Sequence, residues 1–257
     1  MSNSTINLSG KKGLILGVAN DQSIAWGCAV MAKQLGANLI ISCLNEKAKT
    51  YVEPLSSDHQ IPVEICNVED EGALEKLVEV AIQKLGGLDF VIHSIAWAPL
   101  EDLHGRVIDS SSSGFSRAME VSCHSFATLA KFCTPHMHAG GSLITMSYLG
   151  GDEAVPHYGL MGPVKAALES LVKYMALELG RSKIRVHAVS PGPILTRAAS
   201  GIEDFDSLLH NAAEKSPLGR AVSLEEIASL CAFLCSDGAS GMTGQTIYVD
   251  GGCHAVA

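Results

Sequence analysis

Gly13-Leu-Ile-Leu-Gly-Val-Ala-Asn-Asp-Gln-Ser-Ile-Ala-Trp26 joins an apolar stretch at 13–18, a turn of small and polar residues, and a helical pattern at 23–35. An uninterrupted apolar run suits a strand buried on both faces, and a helix straight after it begins a βαβ unit. The pattern then repeats along the chain. Further strands are expected at 38–43, 63–68, 89–95, 142–147, 185–190 and 246–249, with helices at 46–55, 71–85, 114–136, 158–180 and 224–235. Strands alternating with helices define an α/β fold, here a Rossmann-like, doubly wound parallel sheet of about seven strands with helices on both faces. Leu35-Gly36-Ala37 and Leu85-Gly86-Gly87 place glycine where a helix must stop before the next strand.

No Pro/Ser linker, repeat or shift in composition divides the 257 residues, so one domain over 1–257 is expected. Two connections are too long for plain turns, 98–113 and 192–211, and both leave the carboxyl ends of strands. Open α/β sheets bind ligands there, and the second connection, with a short helix near 204–210, suits a substrate lid at about 195–212.

Composition narrows the function. A net charge of −9 without a basic cluster argues against nucleic acid. No apolar run reaches the roughly 18 residues of a membrane span. The opening residues carry neither a basic nor an apolar signal region, so a cytoplasmic protein is expected. The eight cysteines form no Cys-x2-Cys pair, Cys231 and Cys235 have no partner ligands in sequence, and the ten histidines are scattered. Free thiols and no metal follow.

Chemistry-bearing residues gather at the strand ends. Gly17 and Ala19 let the backbone approach a pyrophosphate, with Ser23 and Ile24 opening the helix behind it, although an ordinary capped turn would read the same way. Leu44, at the end of the second strand, stands where an acid would grip a ribose or a cation a 2′-phosphate. Being neither, it favours NAD and leaves NADPH open, with Lys47 close by. Asn67 and Val68 suit an adenine edge, Ser94 and Ile95 a nicotinamide-side ribose, and the Pro191–Thr196 turn a nicotinamide amide. Tyr148 ends the fifth strand, with Ser147 as a competing hydroxyl. Tyr158 and Lys165 are seven positions apart, which on a helix puts them on one face roughly 10 Å apart along the axis.

Together these residues resemble the short-chain dehydrogenase/reductase superfamily, specifically its divergent branch, the bacterial enoyl-[acyl-carrier-protein] reductases of type II fatty acid synthesis. The resemblance rests on Gly17-x5-Ser23, Tyr148 in place of the usual serine, and Tyr158-x6-Lys165 where other members carry Tyr-x3-Lys. His93-Ser-Ile-Ala-Trp-Ala-Pro99, Ser147-Tyr-Leu-Gly150, Ala198-Ala-Ser-Gly-Ile202 and Phe233-Leu-Cys-Ser-Asp237 extend it over nearly the whole chain. It implies hydride transfer from NADH to Cβ of a trans-2-enoyl thioester, with Tyr158 stabilising the enolate, Lys165 holding the nicotinamide ribose and Tyr148 in support. It implies cofactor contacts at Gly17, Ala19, Ser23, Ile24, Asn67, Val68, Ile95, Ile194 and Thr196, to which Leu44 and Ser94 are added. It places Ala98, Met161, Ala198 and Ile202 with the two tyrosines at the substrate.

The resemblance also implies an acyl-carrier-protein-borne substrate and a homotetramer. The sequence departs from the family where Asn67 replaces a frequent Asp, Leu44 a common Gln or basic residue, Gly159 a frequent Asn and Trp97 a frequent Phe. A ketoreductase on the same fold would need Tyr-x3-Lys and an upstream serine, which the Tyr158-x6-Lys165 spacing and Tyr148 oppose. A non-catalytic NAD-binding sensor would have no need to keep all of Tyr148, Tyr158 and Lys165.

Overall fold

The computed structural model describes residues 6–196, 201 and 204–256. Seven strands form one parallel sheet: β1 (Lys12–Leu16), β2 (Asn38–Cys43), β3 (Val63–Ile65), β4 (Phe90–His93), β5 (Gly141–Met146), β6 (Ile184–Pro191) and β7 (Gln245–Val249). They lie in the order β3-β2-β1-β4-β5-β6-β7. Leu16 is in register with Ser42 on one side and His93 on the other. The chain therefore turns outward to β2 from one edge of β1 and resumes with β4 at the other. That reversal opens a crevice at the carboxyl ends of β1 and β4.

The central strands are buried on both faces, so both sides of the sheet carry helices. On one side pack α1 (Ile24–Gln34), α2 (Glu46–Asp58) and α9 (Leu224–Cys235), which bury Trp26, Ala29, Val52, Ile227 and Leu234 against Ile15, Ile41 and Ile144. On the other side α3 (Ala73–Leu85), the α5–α6 rod and α7 (Met161–Leu179) bury Leu77, Phe126, Leu129, Val164 and Leu168 against Leu14, Val91 and Leu143. The rod runs from α5 (Ser112–Met119) to α6 (Ser125–Cys133) through one wide π-helical turn, Glu120–His124. The short α4 (Leu100–Leu103) occupies the first long connection and α8 (Phe205–Lys215) the second. Among the described residues no helix is long and apolar enough to cross a membrane.

One local expectation fails. Tyr158 is not on the helix that carries Lys165: α7 begins at Met161. His157 at φ 62° and Gly159 at φ 45° put left-handed backbone on both sides of Tyr158, which no right-handed helix accommodates. Gly159 is confined as well, because a Cβ there would sit 2.8 Å from the Leu103 carbonyl oxygen. β3 and β4 also end sooner than the apolar runs suggest, Asn67 and Ser94 having already left the sheet for the crevice edge.

Candidate active site

At the switch point Gly17 adopts φ 97°, and a Cβ on it would stand 2.1 Å from the Ser94 carbonyl oxygen. Only glycine lets the β1–α1 turn lie this close to the end of β4. Ser23 occupies the N-cap position of α1, yet its side chain does not cap the helix. Its Oγ accepts from the Ala19 and Asn20 amides (2.9 and 3.0 Å) and donates to Asn20 Oδ1, which fixes the turn.

A cavity opens from this turn across the sheet edge. Gly17, Ala19, Ser23 and Ile24 line it from the β1–α1 turn and the start of α1. Ser94, Ile95 and Ala98 line it from the segment after β4, and Tyr148, Tyr158, Met161 and Lys165 from the segment after β5 and from α7. Ile194 and Thr196, after β6, line it as well. Thirteen of the expected site positions thus share one cavity. Leu44, Asn67 and Val68 stand outside it, along the same sheet edge beyond β2 and β3. Asn67 is held locally, donating to Asp70 Oδ1 and accepting from the Glu69 amide. Ala198 and Ile202 lie outside the described residues.

The two tyrosine rings meet at 4.6 Å between centroids, tilted by 53°. Their approach depends on Gly150, where a Cβ would fall 2.3 Å from the Tyr158 ring. Burial raises both phenols, Tyr148 to about 12 and Tyr158 further, so both keep their protons at neutral pH. Lys165 is buried with its Nζ donating to the Met146 carbonyl (2.7 Å), and burial lowers its pKa to about 8. It therefore remains largely an ammonium at pH 7.

Behind Lys165 the buried His93 reaches Thr145 Oγ1 through Nδ1 (3.2 Å) and Ser125 Oγ through Nε2 (2.8 Å). Ser125 already donates to the Val121 carbonyl, so Nε2 carries the imidazole proton. Burial, reinforced by the Lys165 charge, pushes His93 down to about 3, and the ring stays neutral. The only formal cation against the two phenols' wall is thus Lys165, among the residues lining the cavity.

Sequence reasoning did not pick out Leu103, Phe205 and Leu208, which also line the cavity. The signal was present for the last two: an apolar pair three apart in the second long connection, on one face of α8. Glu169 was missed as well. It accepts from Ser147 Oγ and sits one helical turn beyond Lys165.

A glycine-cradled crevice at the switch point of a seven-stranded parallel sheet, with paired phenols and a buried ammonium on its wall, defines a dinucleotide-dependent oxidoreductase of the Rossmann type. The family model for enoyl-(acyl carrier protein) reductase matches residues 17–254. The chain belongs to that family. It is 40% identical over 247 residues to the enoyl-[acyl-carrier-protein] reductase [NADH] FabI of Enterococcus faecalis, covering 96% of this chain and 98% of that protein. It is also 40% identical to the NADPH-type FabI of Staphylococcus aureus, over 98% of this chain and 99% of the other. The crystal structure of the enoyl-(acyl-carrier-protein) reductase of Anaplasma phagocytophilum in complex with NAD superposes with a TM-score of 0.93 at 41% identity. That match covers 97% of this chain and 96% of the other.

Proposed function

We propose that this chain reduces the trans-2 double bond of enoyl-acyl-carrier-protein thioesters in type II fatty acid biosynthesis, using NADH. The observation that carries the reading is the convergence of Tyr148, Tyr158 and Lys165 on the cavity that the Gly17 turn also lines.

The residues fit the cofactor. The cleared space at Gly17 admits a pyrophosphate against the backbone, and Lys165 stands where a ribose hydroxyl can replace the Met146 carbonyl as its partner. Ala19, Ser23, Ile24, Ser94, Ile95, Ile194 and Thr196 would flank it, with Leu44, Asn67 and Val68 towards the adenosine end. Leu44 is 54% exposed and offers a 2′-phosphate neither charge nor hydrogen-bond donor. The missing cation favours NADH over NADPH.

When bound, NADH supplies the hydride that adds to Cβ of the enoyl thioester. Charge then develops on the thioester oxygen, and a donor placed at that atom lowers the barrier. The raised pKa of Tyr158 keeps its proton available for this hydrogen bond. Lys165 adds positive potential from within a low-dielectric wall and orients the ribose. Tyr148, packed on the Tyr158 ring, limits its swing and adds a second hydroxyl at the thioester. Ala98 and Met161 give the acyl chain an apolar bed, and the segment at about 195–212, including Ala198 and Ile202, forms the lid.

We also propose a cytoplasmic homotetramer. Tyr174 and Leu177 stand 65% and 78% exposed on α7, a surface that a second copy would cover, and light scattering measures the assembly directly.

The test follows NADH absorbance with crotonyl and acetoacetyl thioesters side by side, then with NADPH. Turnover on crotonyl thioester is expected, with NADH preferred. Tyr158→Phe is expected to lower kcat by on the order of 10²–10³ with little change in NADH affinity. Wild-type kcat in that variant would overturn the role given to Tyr158.

A further inference from the structure

Trp97 lies where the catalytic cavity meets a second cavity bounded by Pro99, Leu100, Glu101, Gly114 and Arg117. Its backbone is fixed from both sides: Ser122 Oγ accepts from the Trp97 amide and donates to the Trp97 carbonyl, each at 2.8 Å. Ser122 belongs to the wide turn of the α5–α6 rod. Only the indole can move, and it too is held. The Arg117 guanidinium carbon lies 4.1 Å from the indole ring centre. Glu69 in turn grips Arg117 through both carboxylate oxygens, Nη2 to Oε2 at 3.0 Å and Nε to Oε1.

We infer that Arg117 and Glu69 are positioning residues that set acyl-chain preference by clamping Trp97 as the partition between the two cavities. This rests on the enoyl reductase reading above. With the indole clamped, the catalytic cavity ends at the ring. With the indole displaced, the cavity runs on past Pro99 to Leu100, which is 58% exposed and apolar. A long acyl chain therefore binds only the minor state with the ring displaced, whereas a short chain fits the major one. A substrate that needs a minor state loses apparent affinity by that state's population. A cation over an indole face at an exposed site shifts such a population by about two- to fivefold. The polar pair Glu69–Arg117 also spans from the turn after β3 to the mouth of the substrate cavity, so the clamp is built from three separate segments of the chain.

The experiment measures kcat/KM for crotonyl and trans-2-dodecenoyl thioesters in wild type, Arg117→Met, Arg117→Lys and Glu69→Gln. The same substitutions are placed in a Trp26→Phe background, where Trp97 is the sole tryptophan and its fluorescence anisotropy reports ring mobility. Arg117→Met is expected to raise the dodecenoyl-to-crotonyl ratio about two- to fivefold and to lower the anisotropy. Arg117→Lys, which keeps the charge and loses the fork to Glu69, should fall between, as should Glu69→Gln. A freed indole with an unchanged ratio would overturn the partition, and an unchanged anisotropy would overturn the clamp. A wild-type protein inert on crotonyl thioester would instead overturn the activity reading, and the anisotropy arm would still judge the clamp.

Discussion

Replacing Lys165 with methionine should make this protein more stable while disabling its cofactor site. The ammonium is buried, and its pKa falls from an ordinary 10.5 to about 8. That drop corresponds to roughly 3 kcal/mol by which the fold disfavours the charged form. The bond to the Met146 carbonyl returns part of this, and losing it in the variant costs about 1 kcal/mol. The net gain is on the order of 2 kcal/mol, or about 4–8 °C in Tm for a chain of this size. The pH dependence has a definite sign. Below about pH 8 the lysine is charged in both folded and unfolded chains, and the penalty is fully present. Between about 8 and 10.5 the unfolded chain binds the extra proton, so wild-type stability rises with pH relative to Lys165→Met. Calorimetric melting of both proteins without nucleotide, from pH 6.5 to 10, measures the difference. It should be largest below pH 8 and shrink above it. A variant that melts below wild type at pH 7, or a difference flat across the range, would refute the reasoning. Added NADH should raise the Tm of wild type and leave the variant nearly unmoved.

Two glycine substitutions separate cofactor binding from chemistry. Gly17→Ala forces a methyl towards the Ser94 carbonyl at φ 97°, strain on the order of 1–3 kcal/mol, and should weaken NADH binding by about tenfold or more; a wild-type Kd by calorimetry would count against the cradle. Gly150→Ala drives a methyl into the Tyr158 ring and should lower kcat by up to about a hundredfold while NADH affinity holds, since small misplacements of a reacting group carry that cost. An unchanged kcat there would show that the ring's place against Gly150 is immaterial.

The alternation of apolar runs with helical patterns was enough to give the sheet, because parallel strands buried on both faces leave an unmistakable stretch of Val, Ile and Leu at each crossing. Strand order was less directly written: nothing local in β4 says that it pairs with β1, and the right-handed crossover supplies that. The site was legible wherever its residues end a strand, as Gly17, Ser94 and Tyr148 do. It was illegible where a side chain's partner is distant in sequence. The serine in the first turn looked like a helix cap and instead ties down two amides of its own loop. Phe205 and Leu208 reach the cavity from 40 or more positions after Lys165, and their spacing marks a helix face without saying what it covers. The grip of Glu69 on Arg117 joins residues 48 apart and leaves no trace in either local pattern.

The break in the backbone between Tyr158 and α7 has a consequence for how such a site varies. Lys165 is locked to the sheet by its helix, but the phenol hangs on a separate hinge of two left-handed residues, His157 and Gly159. The number of residues between them is therefore a loop length, free of the helical repeat. Insertions or deletions in that hinge can shift the Tyr158 hydroxyl within the cavity while Lys165 stays fixed on α7.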